Sequence, residues 1–383
     1  MSIIKIQAEI KEIKYHYTLQ RSSSNIYSIN DIISGYACRD AVFRLKLDNN
    51  IYGISQWVSP KRTRSYPFAR VYDTGGIDKK ITIIPLVKDE GSRGDRDYLQ
   101  WDTISLMSLL NVNVIICWYD KAKVSSRFPN KITLQEFSYK HIIDNIQQLR
   151  SYQSDALHWN IKQIEDLKKI ASKTRKFYYE EVPKTLGIKM HGVDSFDKKI
   201  EKITKDAESF RESSRSAAKA AQHRESLTIQ PKEKTIFNKG IITVKNWIGG
   251  IYYWTVDELV INGNKAYFIE KKHGSNSIPS IDDIKDGFLK QVLYSNISVA
   301  KTKEKNLNVI PVIGLTGKRF KGLLTTSNDL NKLNPCHYNL SSLQFNRVIE
   351  VFYEACKNGI YVFITNSDLL TEEKQLKILS KFA

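Results

Sequence analysis

The segment between Trp254 and His273 restricts the fold of this chain more than any other part of its sequence. It reads WTVDELVINGNKAYFIEKKH, in which two runs rich in β-branched and aromatic residues flank the turn sequence Asn262-Gly263-Asn264. Loops of this composition join the strands of β-hairpins. We therefore predict strands over residues 251–261 and 266–272 that pair with each other in an antiparallel hairpin.

The second strand of this hairpin carries three consecutive charged residues, Glu270, Lys271 and Lys272. Because successive side chains of a strand point to opposite faces of the sheet, Glu270 and Lys272 share one face and Lys271 lies on the other. The hairpin therefore presents a carboxylate and an ammonium group side by side.

The register of the hairpin decides where Asp257 falls on the first strand. With Gly263-Asn264 as the loop, Asp257 lies opposite Glu270; with Asn262-Gly263 as the loop, it lies opposite Phe268 and diagonal to Glu270. In both registers Asp257 shares the face that carries Glu270, whereas a loop one residue longer would separate them.

Two neighbouring carboxylates repel each other unless a cation lies between them. Mg²⁺ is commonly held by one or two carboxylates together with phosphate oxygens of a substrate, and it can acidify a water molecule. A lysine beside such an ion can hold that water or its hydroxide. Asp257, Glu270 and Lys272 therefore form a candidate site for hydrolysis of a phosphodiester, and the alternative is that they form ordinary cross-strand ion pairs.

The spacing D-x12-E-x-K on a hairpin, followed by an amphipathic helix, resembles the PD-(D/E)XK nuclease superfamily, which includes restriction endonucleases. The resemblance covers about residues 235–365, roughly a third of the chain. It implies that Asp257 and Glu270 bind Mg²⁺ and that Lys272 assists the attacking water. The chain departs from the family pattern at Val256, where the family has proline.

The same superfamily often carries a glutamine with a nearby tyrosine on the helix after the hairpin. Gln291 and Tyr294 occupy that place here, one residue closer together than the common spacing. The resemblance thus implies that Gln291 contacts the substrate.

The balance of charge indicates a polyanionic partner. The chain has 59 Lys+Arg against 41 Asp+Glu, a formal net charge of +18, and no apolar stretch approaches a membrane span. Nucleic acid is the partner that this charge favours. The four cysteines are scattered, and the first residues do not form a secretory signal, so we expect a reducing, cytoplasmic setting.

Three regions follow from the pattern of apolar residues. Residues 1–135 read as an α/β block that could recognise DNA, residues 136–234 as a helical insert ending in a linker, and residues 235–383 as the catalytic α/β domain. In the last region we predict a helix over 280–299 and a strand over 309–315. The fold class predicted for the chain is α/β, with a restriction-endonuclease-like mixed sheet flanked by helices.

Two basic clusters are candidates for contact with a phosphate backbone. Lys318, Arg319 and Lys321 lie in a loop after the predicted strand 309–315, and Lys61, Arg62 and Arg64 form the second cluster. For each, the alternative is a solvated charged loop. Neither a Walker A loop nor a GxGxxG turn occurs, so we expect no nucleotide cofactor.

A second acidic group lies between residues 88 and 102, with members Asp89, Glu90, Asp95, Asp97 and Asp102. It could be a rival metal site or a set of base-reading groups. A polar loop with a helix cap is the interpretation that we favour, because no D…(D/E)xK pattern occurs there.

Together these features predict a Mg²⁺-dependent endonuclease that cleaves double-stranded DNA, of the type II restriction class. A palindromic target would require a homodimer with two active sites. The alternatives are a non-catalytic nucleic-acid-binding protein and a repair or single-strand nuclease of the same superfamily.

Overall fold

The computed structural model describes most of the chain, in the ranges 4–19, 25–35, 40–57, 59–60, 70–152, 155–227, 237–246, 251–329 and 332–382. The chain divides into two units. We call Met1–Gln20 together with Ala217–Ala383 the C-terminal unit, and Arg21–Ser216 the N-terminal unit.

Both units contain strands and helices. The strands are β1 (Ile4–Ile10), β2 (Ile26–Tyr27), β3 (Val42–Leu47), β4 (Asn50–Gln56), β5 (Lys79–Pro85), β6 (Val87–Asp89), β7 (Arg96–Tyr98), β8 (Asn113–Cys117), β9 (Tyr119–Val124), β10 (Ile132–Phe137), β11 (Gly240–Asn246), β12 (Ile251–Val256), β13 (Glu258–Asn262), β14 (Lys265–Gly274), β15 (Ile297–Lys301), β16 (Asn306–Gly317), β17 (Leu323–Thr325) and β18 (Tyr361–Asn366). The α-helices are α1 (Ile29–Ile33), α2 (Trp101–Leu109), α3 (Tyr139–Arg150), α4 (Ala156–Glu165), α5 (Leu167–Lys176), α6 (Val182–Leu186), α7 (Val193–Thr204), α8 (Ala207–Leu227), α9 (Ile281–Tyr294), α10 (Ser342–Lys357) and α11 (Glu372–Leu379). The predicted α/β class is confirmed.

The C-terminal unit is built on one mixed sheet. Its strands follow the order β12-β11-β1-β15-β16-β14-β13, and β18 pairs with both β16 and β17. Strands β14, β16 and β18 are mutually parallel. Helix α9 lies in the connection from β14 to β16 and α10 in the connection from β16 to β18, as expected for parallel strands joined by helical crossovers.

The N-terminal unit contains a five-stranded sheet of order β2-β3-β4-β5-β8, with the hairpins β6–β7 and β9–β10 beside it. Side chains of α4 cover the exposed edge of β8. Asn160 accepts a hydrogen bond from the Val114 amide at 2.6 Å, and Gln163 accepts one from the Ile116 amide at 3.1 Å. This cover satisfies backbone groups that would otherwise offer an edge for aggregation.

These pairings divide the chain differently from the regions predicted at 1–135, 136–234 and 235–383. Strand β1 pairs in parallel with β11 and antiparallel with β15, so the first strand belongs to the C-terminal unit. The helices up to residue 216 belong with the N-terminal block, because α4 bonds directly to β8. Hydrophobic periodicity shows where elements lie, but it carries no information about which distant strand each one joins.

The strand predicted over residues 251–261 is interrupted. It bends at Asp257, so that β12 pairs with β11 whereas β13 pairs with β14. The Asp257 carboxylate accepts a hydrogen bond from the backbone amide of Lys271 at 2.9 Å. A side-chain oxygen thus satisfies this amide at the point where the backbone leaves the ladder.

The predicted helix over 280–299 is shorter than expected. It begins after Ser280, whose hydroxyl accepts a hydrogen bond from the Asp283 amide at 3.2 Å, and ends at Tyr294, before strand β15. In the described parts of the chain, no helix is both long enough and apolar enough to span a membrane.

A buried glutamate on α10 forms hydrogen bonds with the segment that follows β1 and fixes its position. Glu354 accepts hydrogen bonds from the amides of Thr18 at 2.6 Å and Leu19 at 2.7 Å, and from the Tyr15 hydroxyl at 2.8 Å. Burial and the neighbouring Glu354 charge raise the pKa of Tyr15 well above its ordinary value. The carboxylate therefore replaces water as the partner of several backbone and side-chain donors.

We expect Glu354→Ala to lower the free energy of unfolding by about 2–4 kcal/mol, because it leaves the buried Leu19 amide and the part-buried Tyr15 hydroxyl without this acceptor. Urea denaturation followed by circular dichroism measures this change. Glu350→Ala, at an exposed position one turn earlier on the same helix, is the control and should change stability by less than about 0.5 kcal/mol. Equal losses in both variants would contradict the anchoring role.

Candidate active site

The hairpin β13–β14 adopts the first of the two predicted registers. Asn262 pairs with Lys265, so that Gly263-Asn264 form the loop, and Glu258 pairs with Ile269. Gly263 has φ +61°, a conformation that favours glycine in the first position of such a loop. The ladder ends at the pair Glu258–Ile269, and the carboxylate of Asp257, the preceding residue, accepts a hydrogen bond from the Lys271 amide.

The side chains of Glu270 and Lys272 face helix α9, as predicted from strand alternation. Glu270 is 1% exposed and Lys272 is 13% exposed. Gly287 of α9 lies directly over them: a Cβ atom built there would lie 3.4 Å from Cε of Lys272 and 3.9 Å from Cγ of Glu270. The two charged side chains are therefore enclosed between the sheet and the helix.

Two residues of α9 complete this group of charges. Lys290 Nζ lies 2.7 Å from Glu270 Oε1, and Lys272 Nζ lies 3.0 Å from the same oxygen. Lys272 Nζ also lies 2.5 Å from Asp286 Oδ2. Asp286 and Lys290 are not among the site residues predicted from the sequence. Their spacing of four residues, which places them on one face of a helix, was the available signal.

The electrostatics of the group are dominated by mutual attraction. Burial raises the pKa of Glu270, but the ammonium groups of Lys290 and Lys272 outweigh burial and hold it below its ordinary value. Burial lowers the pKa values of both lysines, and the surrounding carboxylates outweigh that effect and raise them above normal. Asp257 contributes to both raised values, so its carboxylate belongs to the same group of charges.

Asp286 differs from Glu270 in the balance of these effects. Burial raises the pKa of Asp286 above its ordinary value, and the attraction of Lys272 offsets this only in part. Asp286 is therefore paired with Lys272 even though burial disfavours the charged form of its carboxyl group.

The group suits a divalent cation in two respects. Glu270 Oε2 and Asp286 Oδ1 are buried and have no hydrogen-bond partner among the described residues. With Asp257, Glu270 and Asp286 ionised and the two lysines protonated, one net negative charge remains. Within the described ranges, no three acidic, histidine or cysteine side chains converge closely enough to hold a metal by themselves. The donor set fits an ion such as Mg²⁺ that retains water or phosphate ligands.

The opposite face of β14 carries a separate ionic group. Lys271 Nζ lies 2.7 Å from Glu258 Oε1, and the side-chain amide of Gln375 on α11 donates to Glu258 Oε2. Tyr267 and Ile269 occupy the same face and pack against the apolar side of α11. Glu258 and Lys271 thus hold the C-terminal helix, away from the group around Glu270.

Gln291 and Tyr294 lie inside the unit. The Gln291 amide is fully buried and donates to the Val312 carbonyl at 2.9 Å, and the Tyr294 hydroxyl is 3.5 Å from the Thr255 carbonyl. Gln291, predicted to contact substrate, therefore faces strand β16 in this structure. The hydrogen bond of this side-chain amide links helix α9 to strand β16.

The basic loop after β16 lies next to the carboxyl end of β14, because the two parallel strands end at the same level, with Gly274 paired to Gly317. Lys318, Arg319 and Lys321 are all exposed. The loop is fixed in place by its backbone, because Gly317 passes so close to the Ser277 carbonyl that a Cβ atom would lie 2.1 Å from it. Three cations are thus presented on a well-anchored turn.

His273 and the second basic cluster take different places. His273 is half-buried, with Nδ1 3.1 Å from the Thr316 hydroxyl on the neighbouring strand. Lys61, Arg62 and Arg64 lie outside the residues that the structure describes.

The acidic segment 88–102, interpreted from the sequence as a polar loop with a helix cap, is buried in part, although Asp95 is exposed. Asp89, Asp97 and Asp102 are buried on and beyond the hairpin β6–β7. Asp89 Oδ1 accepts from the Gly91 amide at 2.9 Å and lies 2.7 Å from His191 Nδ1. The segment is therefore packed into the N-terminal unit. Gln100, at the start of α2, forms no side-chain cap.

Comparison with known proteins assigns this chain to no family. No family model matches it, and neither a curated protein nor a solved structure matches it. The chemistry of the site has to be inferred from its own geometry.

Glu90, in the acidic segment, should contribute pH-dependent stability. It lies 2.7 Å from Lys131 and 2.8 Å from Lys88. Burial raises its pKa, but the two lysines outweigh burial and lower it from 4.5 to about 2. Because the folded-state value is depressed, the contribution is present above pH 4.5 and is lost as the pH falls towards 2.

We expect Glu90→Gln to lower the free energy of unfolding by about 1–2 kcal/mol at pH 7 and by progressively less in acid. Urea denaturation at neutral pH and at several acidic values measures the difference between variant and wild type. Glu136→Gln is the control, because Glu136 lies 3.9 Å from Lys121 and is more exposed. A difference that does not change with pH would refute the assignment to charge.

Proposed function

We propose that the chain is a Mg²⁺-dependent nuclease that hydrolyses phosphodiester bonds at the group formed by Asp257, Glu270 and Lys272. The observation that carries this proposal is the net charge of the enclosed group with its unsatisfied carboxylate oxygens. A divalent cation would convert one net negative charge into one net positive charge. A phosphodiester would then neutralise it, so the group matches a metal ion and its substrate together.

The residues of the chain have distinct roles in this proposal. Asp257 and Glu270 would hold Mg²⁺, which supplies polarisation of a phosphate oxygen and acidification of a bound water. Lys272 is held by Glu270 and Asp286 at 3.0 and 2.5 Å, and its raised pKa keeps it protonated at neutral pH. It therefore acts by donating hydrogen bonds that orient the water and stabilise negative charge, and does not accept the proton itself.

The arrangement of elements supports a nuclease of the PD-(D/E)XK type. The hairpin is followed by the amphipathic helix α9 and by β16, which pairs in parallel with β14. The exposed cations Lys318, Arg319 and Lys321 lie at the edge where β14 ends and could contact the phosphate backbone. The net charge of +18 favours association with any nucleic acid.

The substrate in this proposal is double-stranded DNA, and the enzyme is a cytoplasmic type II restriction endonuclease. The N-terminal unit would supply sequence recognition, and a palindromic site would be cut by a homodimer. A repair or single-strand nuclease would use the same group on another substrate. A non-catalytic binding protein would use the charged residues only as ion pairs.

We expect Glu270→Gln to abolish cleavage of plasmid DNA, with a loss of at least about 100-fold, because a ligand and a partner of Lys272 are removed. The assay compares supercoiled plasmid incubated with the protein in Mg²⁺ and in EDTA. Glu258→Gln is the matched control, because Glu258 is equally buried and also paired with a lysine, but on the opposite face of the hairpin. It should retain cleavage.

The products and the substrate separate the alternatives. Discrete fragments would support a sequence-specific enzyme, whereas a smear would indicate a nonspecific one. Cleavage of single-stranded DNA or RNA alone would favour the second nuclease class. Full activity in Glu270→Gln would refute the proposed site and direct attention to the buried acids Asp89, Asp97 and Asp102. Binding without cleavage of any nucleic acid would favour the non-catalytic protein.

A further inference from the structure

We propose that Lys290 is an internal counter-ion of the metal-free site, and that its ammonium group leaves Glu270 for a substrate phosphate when a divalent cation binds. This inference rests on the proposed function and adds a role for Lys290, which the resemblance does not assign. It makes Lys290 a positioning residue that couples binding of the metal ion to binding of nucleic acid.

The contacts of Glu270 are the basis for expecting competition between the lysines and a metal ion. Both lysines contact the same oxygen, Oε1, at 2.7 and 3.0 Å, while Oε2 is buried without a hydrogen-bond partner among the described residues. A divalent cation on this carboxylate would lie within a few ångströms of both ammonium groups. Repulsion between like charges at that distance disfavours the occupancy of all three positions at once.

The two lysines differ in how firmly they are held. Lys272 bridges Glu270 and Asp286, and only 13% of its side chain is exposed. Lys290 forms an ion pair within the described residues with Glu270 alone, and 30% of its side chain is exposed. Lys290 is therefore the less constrained of the two cations and the one that can leave the carboxylate.

A phosphodiester offers Lys290 a new partner when it leaves Glu270. Without nucleic acid, the displaced ammonium group would lie beside the metal ion and compete with it for the carboxylates of Asp257 and Asp286. With a phosphate in the site, each cation has an anionic partner. The metal ion and the nucleic acid should therefore strengthen each other's binding, and by linkage the factor is the same in both directions.

The test measures Mn²⁺ affinity in the absence of nucleic acid, by titration with detection of free Mn²⁺ by electron paramagnetic resonance. We expect Lys290→Met to bind Mn²⁺ about tenfold more tightly than wild type, because the competing charge is removed. Lys290→Gln, which keeps a hydrogen-bond donor, should change affinity in the same direction. Lys301→Met, at an exposed position on β15, should match wild type.

A second measurement tests the coupling. The affinity for a short phosphorothioate-linked duplex, measured by fluorescence anisotropy, should rise with Mn²⁺ in the wild type and rise by a smaller factor in Lys290→Met. Thermal unfolding of each variant confirms that it is folded, and Lys290→Gln replaces Lys290→Met if the latter is not.

The outcomes distinguish this inference from the proposed function. If wild type binds Mn²⁺, Glu270→Gln does not, and the Lys290 variants bind no more tightly than wild type, the counter-ion role is wrong while the metal site stands. If neither wild type nor any Lys290 variant binds Mn²⁺, with or without duplex, both proposals fail. Tight binding by the Lys290 variants alone would support the competition most strongly.

Discussion

The ion pairs of Glu270 with Lys272 and Lys290 join strand β14 to helix α9, and the geometry of the candidate site depends on them. Removing a carboxylate from water is unfavourable unless charges or donors replace the solvent. Here two ammonium groups do so, and Asp286 in turn fixes one of them. The result is that Glu270, Lys272 and Asp286 hold one another in position before any ligand arrives, which is the condition for a preorganised site.

Strand alternation keeps this group apart from a second ionic group in the same hairpin. Glu270 and Lys272 face α9, whereas Lys271 turns to Glu258 and the C-terminal helix α11. Consecutive residues thus serve two different interfaces. A slip of one residue in the register would bring Lys271 to α9 and place Glu270 against the apolar side of α11. The two-residue loop Gly263-Asn264 fixes the register and therefore decides which charged side chain faces which helix.

Much of the site could be predicted because its determinants are local. The turn sequence and the period of two in β14 were sufficient to place Glu270, Lys271 and Lys272 on the correct faces. The bend at Asp257 was missed because it depends on a long-range choice of partner, β11 before the bend and β14 after it.

The helix α9 shows a different limit of sequence reasoning. A helix covered on several sides has no solvent face, so polarity no longer indicates orientation. The pattern of polarity therefore did not identify Asp286 and Lys290, which contact Lys272 and Glu270 on the sheet. The same limit explains the acidic segment, in which Asp89 is buried through contacts with the Gly91 amide and with His191, far away in the sequence.

The position of β1 has a consequence for how the C-terminal unit is made. This strand lies inside the sheet, between β11 and β15, yet it is synthesised before the whole N-terminal unit. A ribosome releases it long before its partners exist, so the strand cannot form its native pairs until β11 and β15 have been synthesised. A fragment that starts at residue 217 would lack it and would leave two strand edges open to other chains. Preparing the C-terminal unit alone would therefore require the first strand to be supplied, by a linker or by circular permutation.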